Sequence, residues 1–424
     1  MAALSVAATC DRARPRRGAI ERRSDTEPSS EAHRPTPSLL RRLSRSGAGV
    51  ADPHRLNVAR AAAFEYRLAL RRPFTTGHGT LGVRQGFLLS VTDCDGIVGW
   101  GEAAPLAQFG GDLAATRRTL ATFVRRASET GAIADLDTDT LATHPSTAPA
   151  ACAIETAILD ITSRRAGVSI AALMGSSARE VAVNAVIGHA TLDESVDAAR
   201  NAALAGYTAV KVKVGTAVSL AEDVRLVAAI RDTIGPQIEL RLDANGAFDE
   251  ATARVFIDTV ARLRIAYIEQ PTPPGDAAAL ARLTRDGVIP IAADESAATQ
   301  ESAHRVARER LADVIILKPM IHGGIASTCR IAEVARANTM VAIVTTTIDA
   351  GIGTAMALHC AALIDPGRAH GLGTAALLVD DLTDGAPRIL VGRMAVPGSG
   401  LGVIPHRWSD VAGCSVVPLG ESIG

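Results

Sequence analysis

The second half of the chain repeats a short pattern that few folds accommodate. Brief apolar runs occur at 181–189 (VAVNAVIGH), 208–215 (TAVKVKVG), 238–246 (IELRLDANG), 265–271 (IAYIEQP), 289–296 (IPIAADES), 313–319 (DVIILKP) and 340–349 (MVAIVTTTID). Between them lie alanine-rich stretches with helical spacing, such as LAEDVRLVAAIRDTIG and IASTCRIAEVARAN. Strands alternating with helices at this spacing imply βαβ units and a parallel sheet. Seven such units, with a shorter eighth candidate at 369–378 (AHGLGTAALL), suit a closed α/β barrel. A doubly wound open sheet is the alternative. No G-x-G-x-x-G follows the first strand, which disfavours its dinucleotide-binding version.

Nearly every run ends in a polar side chain. Lys211 and Lys213 lie in the second, Asp243 and Asn245 close the third, and Glu269 closes the fourth. Asp294 and Glu295 close the fifth, Lys318 the sixth, and Thr-Thr-Thr-Ile-Asp the seventh. Asp243 and Glu269 are 26 residues apart, Asp294 follows after 25, and Lys318 after 24 more. One strand–helix unit has about that length, so these residues stand at one height in successive units. In a parallel barrel this height is the C-terminal rim, where active sites form. Three carboxylates converging there repel one another and protonate unless a counter-charge is present. A hard divalent cation with oxygen ligands and open positions answers that need, which favours Mg²⁺.

The lysines sharpen the reading. Of 44 Lys and Arg residues only Lys211, Lys213 and Lys318 are lysine. Arginine stays protonated in a protein, whereas a buried lysine amine can titrate near neutrality. The chain therefore keeps lysine where an amine has to carry or release a proton. Lys211 and Lys213 are two apart and share one strand face. Lys318 lies four strands onward, across an eight-strand ring. An amine on each side of a metal-held substrate suits removal of a proton next to a carboxylate. The metal stabilises the enediolate and a lysine takes the proton.

The rest of the chain frames this machinery. Residues 1–50 hold ten arginines, five acids and no aromatic. Such a stretch cannot bury enough apolar surface to fold alone, so 1–55 is expected to be a disordered Arg/Ser/Pro-rich tail. It lacks the uninterrupted apolar stretch of a secretory signal. NVARAAAFEYRLAL and GFLLSVTDCDGIVGWGEAA read as strands, with a turn at Asp95-Gly96. Helical periodicity at 112–127 and 148–166 makes residues 56–170 a small α+β unit. The repeated units fill 171–380, and 381–424 form a C-terminal segment. Hydrophobic residues make up 47% and aromatics 3%, so the core is aliphatic. A net charge of −1 argues against a nucleic-acid or membrane-surface partner. No apolar run is long enough to span a bilayer. Six scattered cysteines without C-x-x-C fit a reduced, cytoplasmic protein rather than a disulfide framework.

These motifs resemble the enolase superfamily, and within it the muconate-lactonising group, over roughly residues 56–405. KVKVG is similar to that group's Lys-x-Lys motif. LRLDANGAF, IEQP and IAADES resemble its three metal-ligand motifs, and ILKPMIHGG its second catalytic lysine motif. The resemblance implies a (β/α)₇β modified TIM barrel with an N-terminal α+β capping domain, to which the chain returns near GLGV (401–404). It implies one Mg²⁺ per site, replaceable by Mn²⁺, on Asp243, Glu269 and Asp294. Lys213 and Lys318 become the acid/base pair, and Lys211 helps to lower the pKa of Lys213. Asn245 and Glu295 support the ligands from behind. The substrate is a small carboxylate, and a homo-oligomer is expected.

Among the group's reactions, VTTTIDAGIGTAMALHCAA and AHGLGTAALLVDDL most resemble o-succinylbenzoate synthases, which dehydrate a cyclohexadiene carboxylate in menaquinone biosynthesis. The eighth strand lacks the Asp-x-Asp pair by which dipeptide epimerases bind an ammonium. In place of the serines of many synthases the seventh strand carries threonines. Thr346 and Thr347 are candidates to donate hydrogen bonds to a carboxylate. The loop PFTTGHGTLG (73–82) would close over the substrate, with His78 and Arg84 as candidates for a succinyl carboxylate. His322 and His189 also fall at strand ends.

Overall fold

The computed structural model describes residues 56–76, 79–131, 138–188, 191–384, 386–406 and 414–418. The tail, His78 and His189 lie outside the described residues. Val58–Thr76, Gly79–Asp93 and Val98–Ala103 form an antiparallel sheet. Cys414–Pro418 adds a fourth strand beside Val58–Thr76, so the C-terminus joins the N-terminal sheet. The turn at Asp95-Gly96 forms because Asp93 Oδ1 accepts from the N–H groups of Asp95 (2.9 Å) and Ile97 (2.8 Å), while Gly96 takes a positive φ.

Two helices, Leu113–Thr130 and Ala148–Arg165, cover this sheet. The second is buried on nearly every face because it packs between the sheet and the barrel. Gly99 and Gly101 permit its close approach: a Cβ at either would overlap the carbonyls of Ala157 or Ala153.

Seven parallel strands form the catalytic unit: Ala185–Ile187, Ala209–Lys213, Glu239–Asp243, Ile265–Glu269, Ile291–Ala293, Val314–Leu317 and Val341–Val344. They pair in chain order. The ring closes through two parallel bridges, Val183 to His370 and Thr345 to Gly371. This is a TIM-barrel-like α/β fold with an N-terminal capping unit, not a doubly wound open sheet. The eighth strand is far shorter than 369–378: beyond the bridge pair, Gly373–Leu377 is a 3₁₀ turn. Gly371 and Gly373 give that stretch little strand propensity.

The fifth and sixth strands are buried on both faces, as expected of a parallel sheet covered by helices. The helices after the first five strands start on their own caps. Thr191, Ser219, Asp249, Asp276 and Thr299 each accept from a first-turn backbone N–H. Among the described residues no helix is long and apolar enough to cross a membrane.

Candidate active site

The strand ends bring the predicted residues together. Residue Lys213 pairs in register with Asp243, and Asp243 with Glu269, across adjacent strands. The Lys213 amine lies 2.7 Å from Asp243 Oδ2 and 2.6 Å from Asn245 Oδ1. The Lys211 amine bridges Asp243 Oδ2 and Glu269 Oε1, each at 2.9 Å. Thus both amines of the KVK motif converge on one carboxylate oxygen. The Lys318 amine pairs with Asp294 Oδ1 and lies 4.5 Å from the centre of the Phe109 ring. Three strands separate Lys213 from Lys318, so the amines stand on different sides of the mouth.

Asn245 and Glu295 sit behind this row. Asn245 Nδ2 donates to Glu295 Oε1 at 3.0 Å, and the Asn245 N–H donates to Asp243 Oδ1 at 3.1 Å. Asn245 takes φ 44°, a left-handed conformation that asparagine tolerates. Gln270, unremarked in the sequence, does similar work. Its Oε1 accepts from the N–H groups of Asp294 (3.1 Å) and Ser296 (3.0 Å), tying the fourth strand end to the fifth. A polar residue directly after a ligand candidate and before a proline was the available signal.

Burial and charge act oppositely on neighbouring groups. Burial would raise the Asp243 carboxyl, but Lys211 and Lys213 outweigh it and hold it well below the usual range. Burial pushes Glu269 up to about 7, with Asp243 adding to the rise. For Lys211, burial would lower the amine, yet Asp243 and Glu269 hold it well above its ordinary value. For Lys318, burial prevails and pulls the amine down to about 7 against the attraction of Glu269.

Among the described residues, no group of acidic, histidine or cysteine side chains is arranged to hold an ion together. The ammonium groups explain this, since they sit between carboxylates and supply the positive charge a cation would bring. The donor set nevertheless fits one. It is all-carboxylate, and Glu269 Oε2 and Glu295 Oε2 are buried without a hydrogen-bond partner. Such oxygens are costly unless a cation or donor meets them. Asp243, Glu269 and Asp294 are the side chains that could hold it.

The expected substrate contacts are placed differently. Arg84 is buried and already engaged by main-chain carbonyls. It donates to Ile348 O (3.2 Å), Pro105 O (2.6 Å), Gln85 O (3.1 Å) and Ala104 O. Its guanidinium binds the protein's own backbone rather than being presented to a succinyl carboxylate. His322 is fully buried, and its Nδ1 accepts from the Lys318 N–H at 3.2 Å. Its Nε2–H donates to Ala297 O at 2.8 Å, so both ring nitrogens are taken. His322 therefore holds the backbone of Lys318 through one ring nitrogen and the Ala297 carbonyl through the other. Thr346 shares a 2.6 Å hydrogen bond with Thr374 Oγ1, and Thr347 Oγ1 donates to Asp349 Oδ1 at 2.5 Å. Both lie buried at the seventh strand's end.

Residues 59–175 match the mandelate racemase / muconate lactonizing enzyme N-terminal domain, and residues 194–408 match the enolase C-terminal domain-like family. The chain belongs to the enolase superfamily. Members of this superfamily are Mg²⁺-dependent. A chloromuconate cycloisomerase of Cupriavidus necator is 33% identical over 265 residues, 60% of this chain and 70% of its own. An o-succinylbenzoate synthase of Thermobifida fusca is 39% identical over 218 residues, 51% of this chain and 64% of its own. The substrate-liganded L-Ala-D/L-Glu epimerase of Bacillus subtilis matches with a TM-score of 0.74 at 26% identity, covering 82% of this chain and 99% of its own. These relatives include three reaction types, so they fix the superfamily and the muconate-lactonising group but not the reaction.

Proposed function

We propose that this chain is a Mg²⁺-dependent carbon–oxygen lyase that dehydrates a hydroxy-cyclohexadiene carboxylate to o-succinylbenzoate through an enediolate. One observation carries the choice among the group's reactions. The segment that closes the barrel offers no carboxylate at the mouth. After His370-Gly371 it presents Leu372, Gly373 and Thr374, and Thr374 is paired with Thr346. A substrate with an ammonium finds no partner in that segment, whereas the Thr346–Thr374 pair uses one of its two hydroxyl hydrogens internally and can turn the other to a second carboxylate. The match to the Thermobifida fusca synthase supports the same reading.

A cation on Asp243, Glu269 and Asp294 supplies, when bound, the positive charge that makes a carbon beside a carboxylate acidic. Lys213 takes the proton from that carbon. In a syn elimination it returns the proton to the departing hydroxide, so one amine serves as base and then acid. Lys318 faces the developing negative charge. Burial pulls its amine down to about 7 in the free site, and an anionic partner favours its charged form. Lys211 keeps a permanent charge between Asp243 and Glu269. Thr346, paired with Thr374, orients the substrate's second carboxylate, and Thr347 supports it by fixing Asp349.

The test is purified protein with Mg²⁺ and the hydroxy-cyclohexadiene precursor, followed by loss of its absorbance, with Lys213→Ala as control. Turnover abolished in the variant establishes the lyase. A folded, Mg²⁺-loaded wild type that leaves the precursor untouched refutes it. A dipeptide, N-acylamino-acid and muconate panel in D₂O then separates epimerase or racemase from cycloisomerase.

A further inference from the structure

The helices that follow the sixth and seventh strands differ from the five before them. Ile325–Ala337 begins after Gly324, and Gly351–Ile364 begins after Ala350, so neither has a capping side chain of its own. Their first N–H groups are met from the N-terminal unit instead. Glu155, on the Ala148–Arg165 helix, accepts from Ile325 N (2.5 Å) and Ala326 N (3.2 Å). Glu102, on the Val98–Ala103 strand, accepts from Ala350 N (2.9 Å) and Gly353 N (2.7 Å). Tyr66 OH donates to the same Glu102 at 2.6 Å.

The two capped segments are those that carry Lys318 and the threonines. Between Lys318 and Glu155 lies the turn His322-Gly323-Gly324. Gly324 has φ 121°, and a Cβ there would overlap Glu155 Oε2. Between Thr347 and Glu102 lies Ile348, a β-branched residue at φ 61°. That conformation is strained and persists only where surrounding contacts enforce it. The contacts again come from the N-terminal unit: Arg84 Nε donates to Ile348 O at 3.2 Å, and Glu102 accepts from the N–H of Ala350, two residues on.

We propose that Glu102 and Glu155 are positioning residues, carboxylates of the N-terminal unit that hold the seventh and sixth strand ends, and with them Thr346, Thr347 and Lys318, in their working places. This rests on the reading of those three side chains as acting groups. The capping unit thereby sets the geometry of one side of the barrel mouth, while the first five units set their own.

Hydrogen exchange read by mass spectrometry on the full chain tests this without turnover. In Glu102→Gln an amide group replaces one acceptor oxygen. The N–H groups of Thr346 and Thr347 should then exchange about tenfold faster, with residues 318–322 unchanged. In Glu155→Gln the pattern should reverse. The Leu192–Leu204 helix, capped by Thr191, is the control. Because Glu102→Gln risks loosening the whole unit, the comparison is repeated with Ala350→Ser added. That hydroxyl can accept from Gly353 N and restore the helix start. Continued fast exchange at Thr346 and Thr347 supports positioning by the N-terminal unit. Full recovery there, or changes confined to the capped N–H groups, overturns it. In turnover, Glu102→Gln should raise KM about tenfold with kcat nearly constant, and Glu155→Gln should lower kcat instead. A lower melting temperature with both constants unchanged also overturns the proposal. A wild type that turns over no substrate refutes the lyase reading and leaves the exchange comparison to decide.

Discussion

His322 offers a prediction that links the placement of Lys318 to acid stability. A backbone N–H donates to its Nδ1 and a carbonyl accepts from its Nε2, so the native ring is neutral. Burial pushes its pKa from 6.5 down to about 4, and Lys318 adds to the fall while Ala297 O opposes it. The unfolded chain therefore takes up a proton near pH 6.5 that the folded chain refuses until about pH 4. The ring's contribution is whole above pH 6.5 and lost as pH falls toward 4. A gap of 6.5 − 4 units corresponds to about 3 kcal/mol. Burial also pushes Glu102 and Glu155 up to about 7 each, which strengthens the fold as pH falls. The wild-type slope alone is therefore uninformative, and the difference from His322→Gln isolates the ring. Glutamine keeps a donor and an acceptor but does not titrate. At pH 7.5 the variant should be less stable by up to about 2 kcal/mol, for two imperfectly replaced hydrogen bonds. By pH 4 that deficit should shrink or reverse by about 3 kcal/mol. Urea denaturation at several pH values, followed by tryptophan fluorescence, measures it. A pH-independent difference between the two proteins would refute the buried neutral imidazole, and with it the claim that His322 fixes Lys318.

Lys213→Ala should lower kcat by about 10²–10⁴-fold, while Lys318→Arg, which keeps the charge, should retain measurable turnover. Equal losses in both, with deuterium entering the α-carbon from D₂O, would point to a two-base epimerisation. Chelation should abolish activity and Mg²⁺ should restore it. Asp294→Asn should weaken the Mg²⁺-dependent rise in melting temperature, and an unchanged rise would remove Asp294 from the ligand set. Gly324→Ala should sharply lower melting temperature or soluble yield, because its φ and the closeness of Glu155 both exclude a methyl. A wild-type melting temperature would show that the turn relaxes.

The barrel was legible because its signal is local and repeated. Each βα unit announces itself by an apolar run and a polar terminus, and seven in order overdetermine the result. The shared rim position of Asp243, Glu269, Asp294 and Lys318 was legible for the same reason, since one period places them at one height. The eighth strand was overextended because a two-residue bridge leaves no periodicity to read. The backbone partners of Arg84 and His322 were not legible, for a different reason. A polar residue near a strand end looks alike whether it faces substrate or a buried carbonyl, and only the position of distant backbone separates the two. Glu102 and Glu155 were missed for the mirror reason. Their partners lie 248 and 170 residues away, at helix starts recognisable only by the caps they lack.

The scarcity of lysine gains a fuller account from the contacts. Lys211 and Lys318 share a residue type and a rim, yet their amines move in opposite directions. The difference lies in their partners. Lys211 is held by two carboxylates, whose attraction exceeds the cost of burial. At Lys318 burial wins over the attraction of Glu269 and Asp243, because the charges of Lys211 and Lys213 work in the same direction as burial. At this second position arginine could supply the charge that faces the substrate, but it would stay protonated in the free site, where burial draws the lysine amine down. It could carry the fixed charge of the first, but not in the same space. Asp243 Oδ2 already receives the amine of Lys213, and the Lys211 nitrogen meets it from a strand position two residues away. Two compact ammonium groups converge on that one oxygen, where a larger planar guanidinium would have to fit beside the Lys213 amine. Titration explains lysine at 318, and crowding around a single carboxylate explains it at 211.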